Sequence, residues 1–462
     1  EPLAGFFDLF TLGEGEDVSL ELFELYRRHK AAGFRRAAFL REAAAIEGVY
    51  VPSLYDVTYR EDGTVEAVRP RDGAPATVRK RILTDMDAAY YPKSFVVPFL
   101  DIVHDRAMSE IFRGCIRGCR FCQAGFIYRP VREKSPAVIN VQSRALCEST
   151  GYEEFSLSSL STSDYSRLEE LLPALLDWAE KEHTNISLPS LRVDGFSEEL
   201  ANQLNVLRRS GLTFAPEAGT QRLRDAINKN VTEEEILDTC GKAFAGGWTA
   251  VKLYFMMGLP TETMEDVAGI AELGQKIVNR FYANPDKPKG KGVTVSISAA
   301  CFVPKPFTPF QWEPQDTMEM LHEKQRHLVS SVTTKKISLS WHDATTSFLE
   351  AVFARGDRRL GAVIEEVHRR GCTMDSWSEH FDFDKWMEVF HDVGLDPAFY
   401  ANRRRDYDEV LPWDHLDYGV TKAFLKKESE KARQSVTTPN CRQACSGCGA
   451  ACWKGGVCVE NR

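Results

Sequence analysis

Three cysteines stand in the run Arg113-Gly-Cys115-Ile-Arg-Gly-Cys119-Arg-Phe-Cys122-Gln123. Gaps of three and then two residues bring their thiols to one side of a short, glycine-punctuated loop. Soft thiolates in such an array suit an iron–sulfur cluster or zinc. A cubane cluster has four irons, so three cysteines leave one iron open to a substrate. A zinc site with a fourth ligand elsewhere and a disulfide pair are the other readings of the same three residues.

A second group repeats the spacing near the other end. Cys441, Cys445 and Cys448 are again three and two apart, and Cys452 and Cys458 follow among small, turn-forming residues. This stretch reads as a metal-binding tail, with a second iron–sulfur cluster or a zinc knuckle as the two candidates. The tail holds no histidine, which disfavours a mixed Cys/His zinc site. Cys147, Cys240, Cys301 and Cys372 lie in apolar patterns and read as core residues.

The bulk numbers narrow the class. A chain of 462 residues with 43% hydrophobic and 27% charged residues is an ordinary globular sequence with room for two or three domains. Twelve cysteines without a secretory signal point to metal ligation in a reducing compartment, the cytoplasm, rather than to disulfides. No apolar run is long enough to span a bilayer, so no membrane is expected. A net charge of −9 disfavours unspecific attraction to nucleic acid while leaving room for a local basic groove. The first residue is Glu1 rather than Met, and an upstream domain is expected.

The elements that must hold the cysteines can be read from periodicity. Residues 1–105 form a mixed leader, with a helical stretch from Val18 to Glu47 broken at Gly33 and a hairpin of Val51–Tyr59 with Thr64–Val68. Strands and helices then alternate. The strands expected are Met108–Arg113, Glu154–Leu160, Ile186–Val193, Leu212–Ala215, Ala250–Met257 and Val293–Phe302. The helices expected are Ala137–Ser149, Asp164–Glu182, Glu198–Ser210 capped by Ser197, Glu233–Ala245 capped by Thr232, and Met264–Phe281. Six alternating strands imply an α/β fold, a partial parallel (β/α)6 TIM-type barrel over 106–340. A helical extension over 341–435 and the Cys-rich tail over 436–462 complete the layout. Barrel active sites lie at the C-terminal ends of the strands, and the Cys115–Cys122 loop follows the first strand.

Polar residues cluster at those strand ends. Ser158, Ser159 and Ser161 stand at the end of the second strand and serve either as ligand hydroxyls or as turn and helix caps. Arg192 ends the third and could pair a carboxylate bidentately, or Asp194. Glu217 ends the fourth and could accept from hydroxyl groups or form a surface ion pair. Gly258 begins the turn after the fifth. His342 and His415 sit beside tryptophans and read as buried structural histidines.

The cysteine run, with Phe121 before its last cysteine, resembles the signature of the radical S-adenosylmethionine (SAM) superfamily. The runs Pro216-Glu-Ala-Gly-Thr-Gln-Arg-Leu-Arg-Asp225, Met256-Met-Gly-Leu-Pro-Thr-Glu-Thr263 and Val303-Pro-Lys-Pro-Phe-Thr-Pro-Phe-Gln-Trp312 are similar to the branch holding methylthiotransferases and cobalamin-binding-type radical SAM proteins. The resemblance covers about residues 100–345. It implies a 4Fe–4S cluster on Cys115, Cys119 and Cys122, SAM on the open iron, and reductive cleavage to a 5′-deoxyadenosyl radical. It implies SAM contacts at Phe121, Ser159, Ser161, Arg192, Glu217 and Gly258, although the usual Gly-Gly-Glu is replaced here by serines. A flavodoxin- or ferredoxin-type reductant is implied as partner. The segment Phe6–Glu16 resembles the exit of a cobalamin-type domain, so cobalamin is an expectation about residues before Glu1; no Asp-x-His-x-x-Gly motif occurs in the chain. The function implied is a transferase, with cobalamin-linked methyl transfer or related C–H functionalisation of an unknown substrate. The rivals are a methylthiotransferase acting on transfer RNA or a ribosomal protein, and a non-catalytic RNA-associated factor bearing a cluster or zinc. No catalytic residue is assigned.

Overall fold

The computed structural model describes residues 1–92, 94–188, 212–285, 287–288, 290–453 and 456–460. Two parallel sheets carry the central domain. The first runs in the order Asn185–Ser187, Glu154–Ser158, Ala107–Glu110. The second runs in chain order through Leu212–Glu217, Ala250–Met257, Thr294–Cys301 and Ile337–Trp341. Parallel pairing throughout, with helices between the strands, is the arrangement of a partial TIM-like barrel.

The alternation that marks a half-buried strand is plain in Ala250–Met257. Val251, Leu253, Phe255 and Met257 are buried against helices Glu233–Ala245 and Met264–Ala283, whereas Lys252 and Tyr254 stay exposed. The helices start where their caps say they must. Thr232 with Glu235 and Thr263 with Asp266 form reciprocal capping boxes, each satisfying two otherwise orphaned donors. Gly219 has no room for a side chain, since a Cβ there would lie 2.3 Å from the Ile270 nitrogen. Its lack of a side chain therefore lets the 264–283 helix cross close to the fourth strand.

Several expectations are corrected. The first strand stops at Glu110; Phe112–Arg113 turn away and pair antiparallel with Arg132–Glu133. A seventh parallel strand, Ile337–Trp341, extends the second sheet beyond the six expected, and helix Ala344–Ala354 begins only after it. The leader helix does break at Gly33, which stands at φ +81° between the helices Gly15–Ala31 and Arg36–Ala43. The Glu198–Ser210 helix and its Ser197 cap lie outside the described residues.

The leader is bound into the domain by its acidic turn. Phe10–Thr11 pair with Val49–Tyr50, and the chain then passes through Glu14 and Glu16. Buried Glu14 takes both arms of the Arg132 guanidinium at 2.7 and 2.8 Å, and Glu16 takes Arg113 at 2.5 Å. Both arginines flank the cysteine loop. The extension packs helices Ala344–Ala354, Leu360–Arg369 and Phe383–Val393 around their own core, and helix Lys422–Arg433 returns to the central domain. No helix among the described residues is long and apolar enough to cross a membrane.

Candidate cluster and cofactor site

The loop from Gly114 to Cys122 leaves the first strand and is fixed from three sides. Gly114 has φ +88°, and a Cβ would sit 2.7 Å from the Tyr128 carbonyl, so only glycine lets these two segments cross. From the fourth-strand side, Asn228 Nδ2 donates to Gly118 O at 3.0 Å and Arg120 N–H donates to Ile227 O at 2.9 Å. From the second-strand side, Arg117 makes two bonds to Asp164 at 3.0 and 2.5 Å, and Ser161 Oγ donates to Asp164 at 2.7 Å. From the C-terminal side, Arg120 is fully buried, with its guanidinium on Glu428 at 3.0 and 3.2 Å and on the Ala226 and Val436 carbonyls at 2.8 and 2.7 Å.

This holds three thiols in mutual electrostatic range. All twelve cysteines lie among the described residues and none is in a disulfide. Burial pushes the Cys115 thiol up to about 12, and the neighbouring Cys119 adds to the rise. Burial also pushes Cys122 up, again with Cys119 next; Glu217 adds to this and Lys229 opposes it. Clustered thiols with little exposure resist ionisation on their own and give up their protons readily when a soft cation binds them. That donor set fits a cluster holding one thiolate per iron. Among the described residues, no three His, Cys, Asp or Glu side chains converge on a single ion position. A cubane needs no such convergence, because its ligands are spread over separate irons.

The strand-end residues fall into two sets. Glu217, at φ +71°, holds Lys229 at 3.1 Å, and both act on Cys122, so the fourth strand end reaches the cysteine loop. Ser161 and Ser159 are turned toward their own loop: Ser161 bonds Asp164, and Ser159 shares a 3.1 Å bond with Thr162. Phe121 is partly buried against the core cluster that holds Ala218, Leu223 and Phe310. Gly258, at φ +83°, starts the fifth-strand turn and donates its N–H to Glu262 at 2.7 Å. Glu262 is buried beside Lys324 at 2.8 Å, and burial raises its carboxyl to about 6. Arg192 lies outside the described residues. Of the two histidines expected to be buried, His342 is exposed, with its backbone N–H on Ala299 O at 3.0 Å, whereas His415 is buried between Tyr50 and Tyr55.

Asp164, Lys229 and Arg129 escaped the sequence reading. Lys229 had a signal: Asn228 and Asn230 on either side adopt φ of +54° and +52°, as asparagine does in tight turns. The tail brings a further surprise. Cys441 N–H donates to Ile116 O at 2.9 Å, so the second cysteine group lies directly on the first loop.

Comparison with known proteins agrees with this geometry. Residues 109–274 match the Radical SAM superfamily, and residues 1–52 match the N-terminal region of radical SAM proteins. Residues 109–274 therefore carry a radical SAM superfamily domain, which implies a 4Fe–4S cluster and SAM. An uncharacterised protein of Methanocaldococcus jannaschii is 28% identical over 396 residues, 85% of this chain and 77% of that protein. A putative methylthiotransferase of the same organism is 25% identical over 172 residues, 34% of this chain and 36% of that protein. Among solved structures, the radical SAM methyltransferase TsrM of Kitasatospora setae, with tryptophan and a SAM analogue bound, aligns at 15% identity and TM-score 0.43. It covers 64% of this chain and 52% of that one. The cobalamin-dependent radical SAM enzyme OxsB aligns at 13% identity and TM-score 0.43, covering 92% of this chain and 63% of that one. The chain thus spans roughly half to two thirds of the solved structures it matches.

Proposed function

We propose that the protein is a transferase that cleaves SAM at a cluster held by Cys115, Cys119 and Cys122 and functionalises a C–H bond of its substrate. The observation that carries this reading is the loop itself: one buried and two half-buried thiols outside any disulfide, at the C-terminal end of the first parallel strand. A 4Fe–4S cluster with SAM on its open iron supplies one-electron cleavage of the sulfonium and a radical able to take hydrogen from carbon.

The chain's own residues position and enclose. Arg117 and Asp164, with Ser161 behind them, hold the backbone between Cys115 and Cys119. Glu217 and Lys229 face Cys122, and we assign Glu217 to the ribose hydroxyls of SAM. Gly258 and its turn, Ser159, Phe121 and Arg192 complete the proposed SAM contacts. Tail and leader cover the loop on its other sides and limit access of water. The reductant in this reading is of flavodoxin or ferredoxin type.

Methyl transfer to an unactivated carbon, with a cobalamin-type domain as carrier, is the reaction we favour. Methylthiolation is the second reading, favoured by the similarity of 172 residues to the putative methylthiotransferase. The test is anaerobic. The reduced, reconstituted chain should release 5′-deoxyadenosine, and the Cys115→Ala/Cys119→Ala/Cys122→Ala variant should release none; release at the wild-type rate would end the assignment. Sulfur incorporated into product alongside a methyl group would select methylthiolation, and a methyl group alone would select methyl transfer.

A further inference from the structure

We propose that Cys441, Cys445, Cys448 and Cys458 hold a second iron–sulfur cluster, closed by four thiolates, with the buried Arg129 guanidinium as the cation it shares with the Cys115–Cys122 site. Three backbone attachments place the tail. Cys441 N–H donates to Ile116 O at 2.9 Å, Thr421 N–H to Cys448 O at 2.9 Å, and Val457 N–H to Val131 O at 3.2 Å. Two glycines make the approach possible. A Cβ on Gly449, at φ +107°, would lie 2.8 Å from Gly419 O, and one on Gly456, at φ +61°, would lie 1.8 Å from Val131 O. The first and third contacts set Cys441 and Val457, the neighbour of Cys458, on the 116–131 segment, and Cys448 packs in one core cluster with Phe126 of that segment.

Arg129 supplies an independent observation. It is only 3% exposed, with Nε on Gly125 O at 2.9 Å and Nη2 on Arg117 O at 3.0 Å. Its Nη1 has no hydrogen-bond partner among the described residues. A buried guanidinium needs a counter-charge. The Arg129 guanidinium lies over the Phe126 ring at 4.8 Å, and Phe126 packs in one core cluster with Cys448, so the tail cysteines stand on the Arg129 side of the loop. A thiolate-ligated cluster carries the negative charge that this position lacks.

Position decides the fourth ligand, which spacing leaves open between Cys452 and Cys458. Cys458 follows Val457, whose N–H donates to Val131 O at 3.2 Å and which packs in one core cluster with Val131 and Cys441. Cys452 faces the other way: its Sγ accepts from Arg79 Nη2 at 3.2 Å, beside Trp453, whose ring lies under Arg79 and Lys80. Four thiolates leave no open iron, so this centre does not bind SAM. Repetition of the three-then-two spacing of the first site selects a cluster over zinc.

The test uses the full chain carrying Cys115→Ala/Cys119→Ala/Cys122→Ala, purified anaerobically, so that the radical reaction plays no part in the readout. It should retain about four irons and four sulfides per chain, as a 4Fe–4S centre does, with the matching Mössbauer and EPR signatures. Adding Cys458→Ala should abolish that signal, whereas adding Cys452→Ala should leave it whole. Arg129→Gln should move its reduction potential downward, and Arg129→Lys should restore it in part. One zinc without sulfide, no retained metal, loss through Cys452 rather than Cys458, or a potential indifferent to Arg129 would each overturn the proposal. Because Cys452→Ala lies in the same tail, its unchanged signal separates ligation from misfolding.

Discussion

Glu217 and Asp164 show how single carboxylates divide the work around the cysteines. Asp164 is saturated by Arg117 and Ser161 and acts on the loop through them, which makes it a positioning residue. Glu217 holds Lys229 at 3.1 Å through one carboxylate oxygen and faces Cys122, so its other oxygen has capacity to accept from a ligand. Glu217→Gln should weaken SAM binding by about 1–3 kcal/mol, the range for losing a charged hydrogen bond, and leave iron content alone. Isothermal titration with SAM reads this directly; unchanged affinity would leave Glu217 as the partner of Lys229 only. Asp164→Asn should instead lower iron content at the first site, because the Arg117 clamp on the loop is lost. Iron analysis and the visible spectrum separate the two outcomes.

At the level of elements, the leader and the extension meet around one histidine. His415 lies between Tyr50 and Tyr55 with ring centroids at 5.0 and 5.5 Å, and its carbonyl accepts from Val78 N–H at 2.9 Å. Burial holds its pKa at about 4, with Glu1 partly opposing. Between about pH 6.5 and 4 the unfolded chain takes up a proton that the folded chain refuses. Stability is therefore present above 6.5 and lost as pH falls through that window, by up to about 3 kcal/mol. Denaturant unfolding across pH 4–7 should show this slope, and His415→Phe should flatten it. None of this docking was legible in the sequence, because it joins segments far apart in the chain. What was legible is local. The cysteine spacing, the period-two pattern of Ala250–Met257, and the threonine that starts Glu233–Ala245 need no knowledge of tertiary structure. Ile337–Trp341 also alternates apolar and polar residues, but five residues standing so close to the Ala344 helix do not announce a strand. The Arg117–Asp164 and Arg120–Glu428 pairs stayed hidden for the same reason as the docking: charge types are visible in a sequence, their partners are not.

For the molecule as a whole, the C-terminal quarter acts as a clamp on the cysteine loop. Glu428 on helix Lys422–Arg433 receives buried Arg120, and Thr438 Oγ1 donates to the same carboxylate at 2.9 Å. Breaking such a pair leaves an uncompensated buried charge, so Glu428→Ala should cost about 3–5 kcal/mol in denaturant unfolding. Replacing both partners, as in Arg120→Met/Glu428→Leu, should recover much of that loss. Deleting residues 436–462 removes the Cys441–Ile116 contact and the bonds of Thr438 to Asn228 and of Asn230 to Thr438. The shortened chain should still load the first centre but lose its visible absorbance faster in air than the full chain does.

The contact between Ile116 and Cys441 also sets a sequence of events in time. A ribosome releases the first cysteine loop roughly 320 residues before the tail that covers it, an interval on the order of 15–60 s at about 5–20 residues per second. During that interval the nascent loop is open to the machinery that delivers iron and sulfide. Only when synthesis is nearly complete does the tail arrive and close over it. The topology thereby permits an order of maturation in which the first cysteine loop is filled before the tail closes over it.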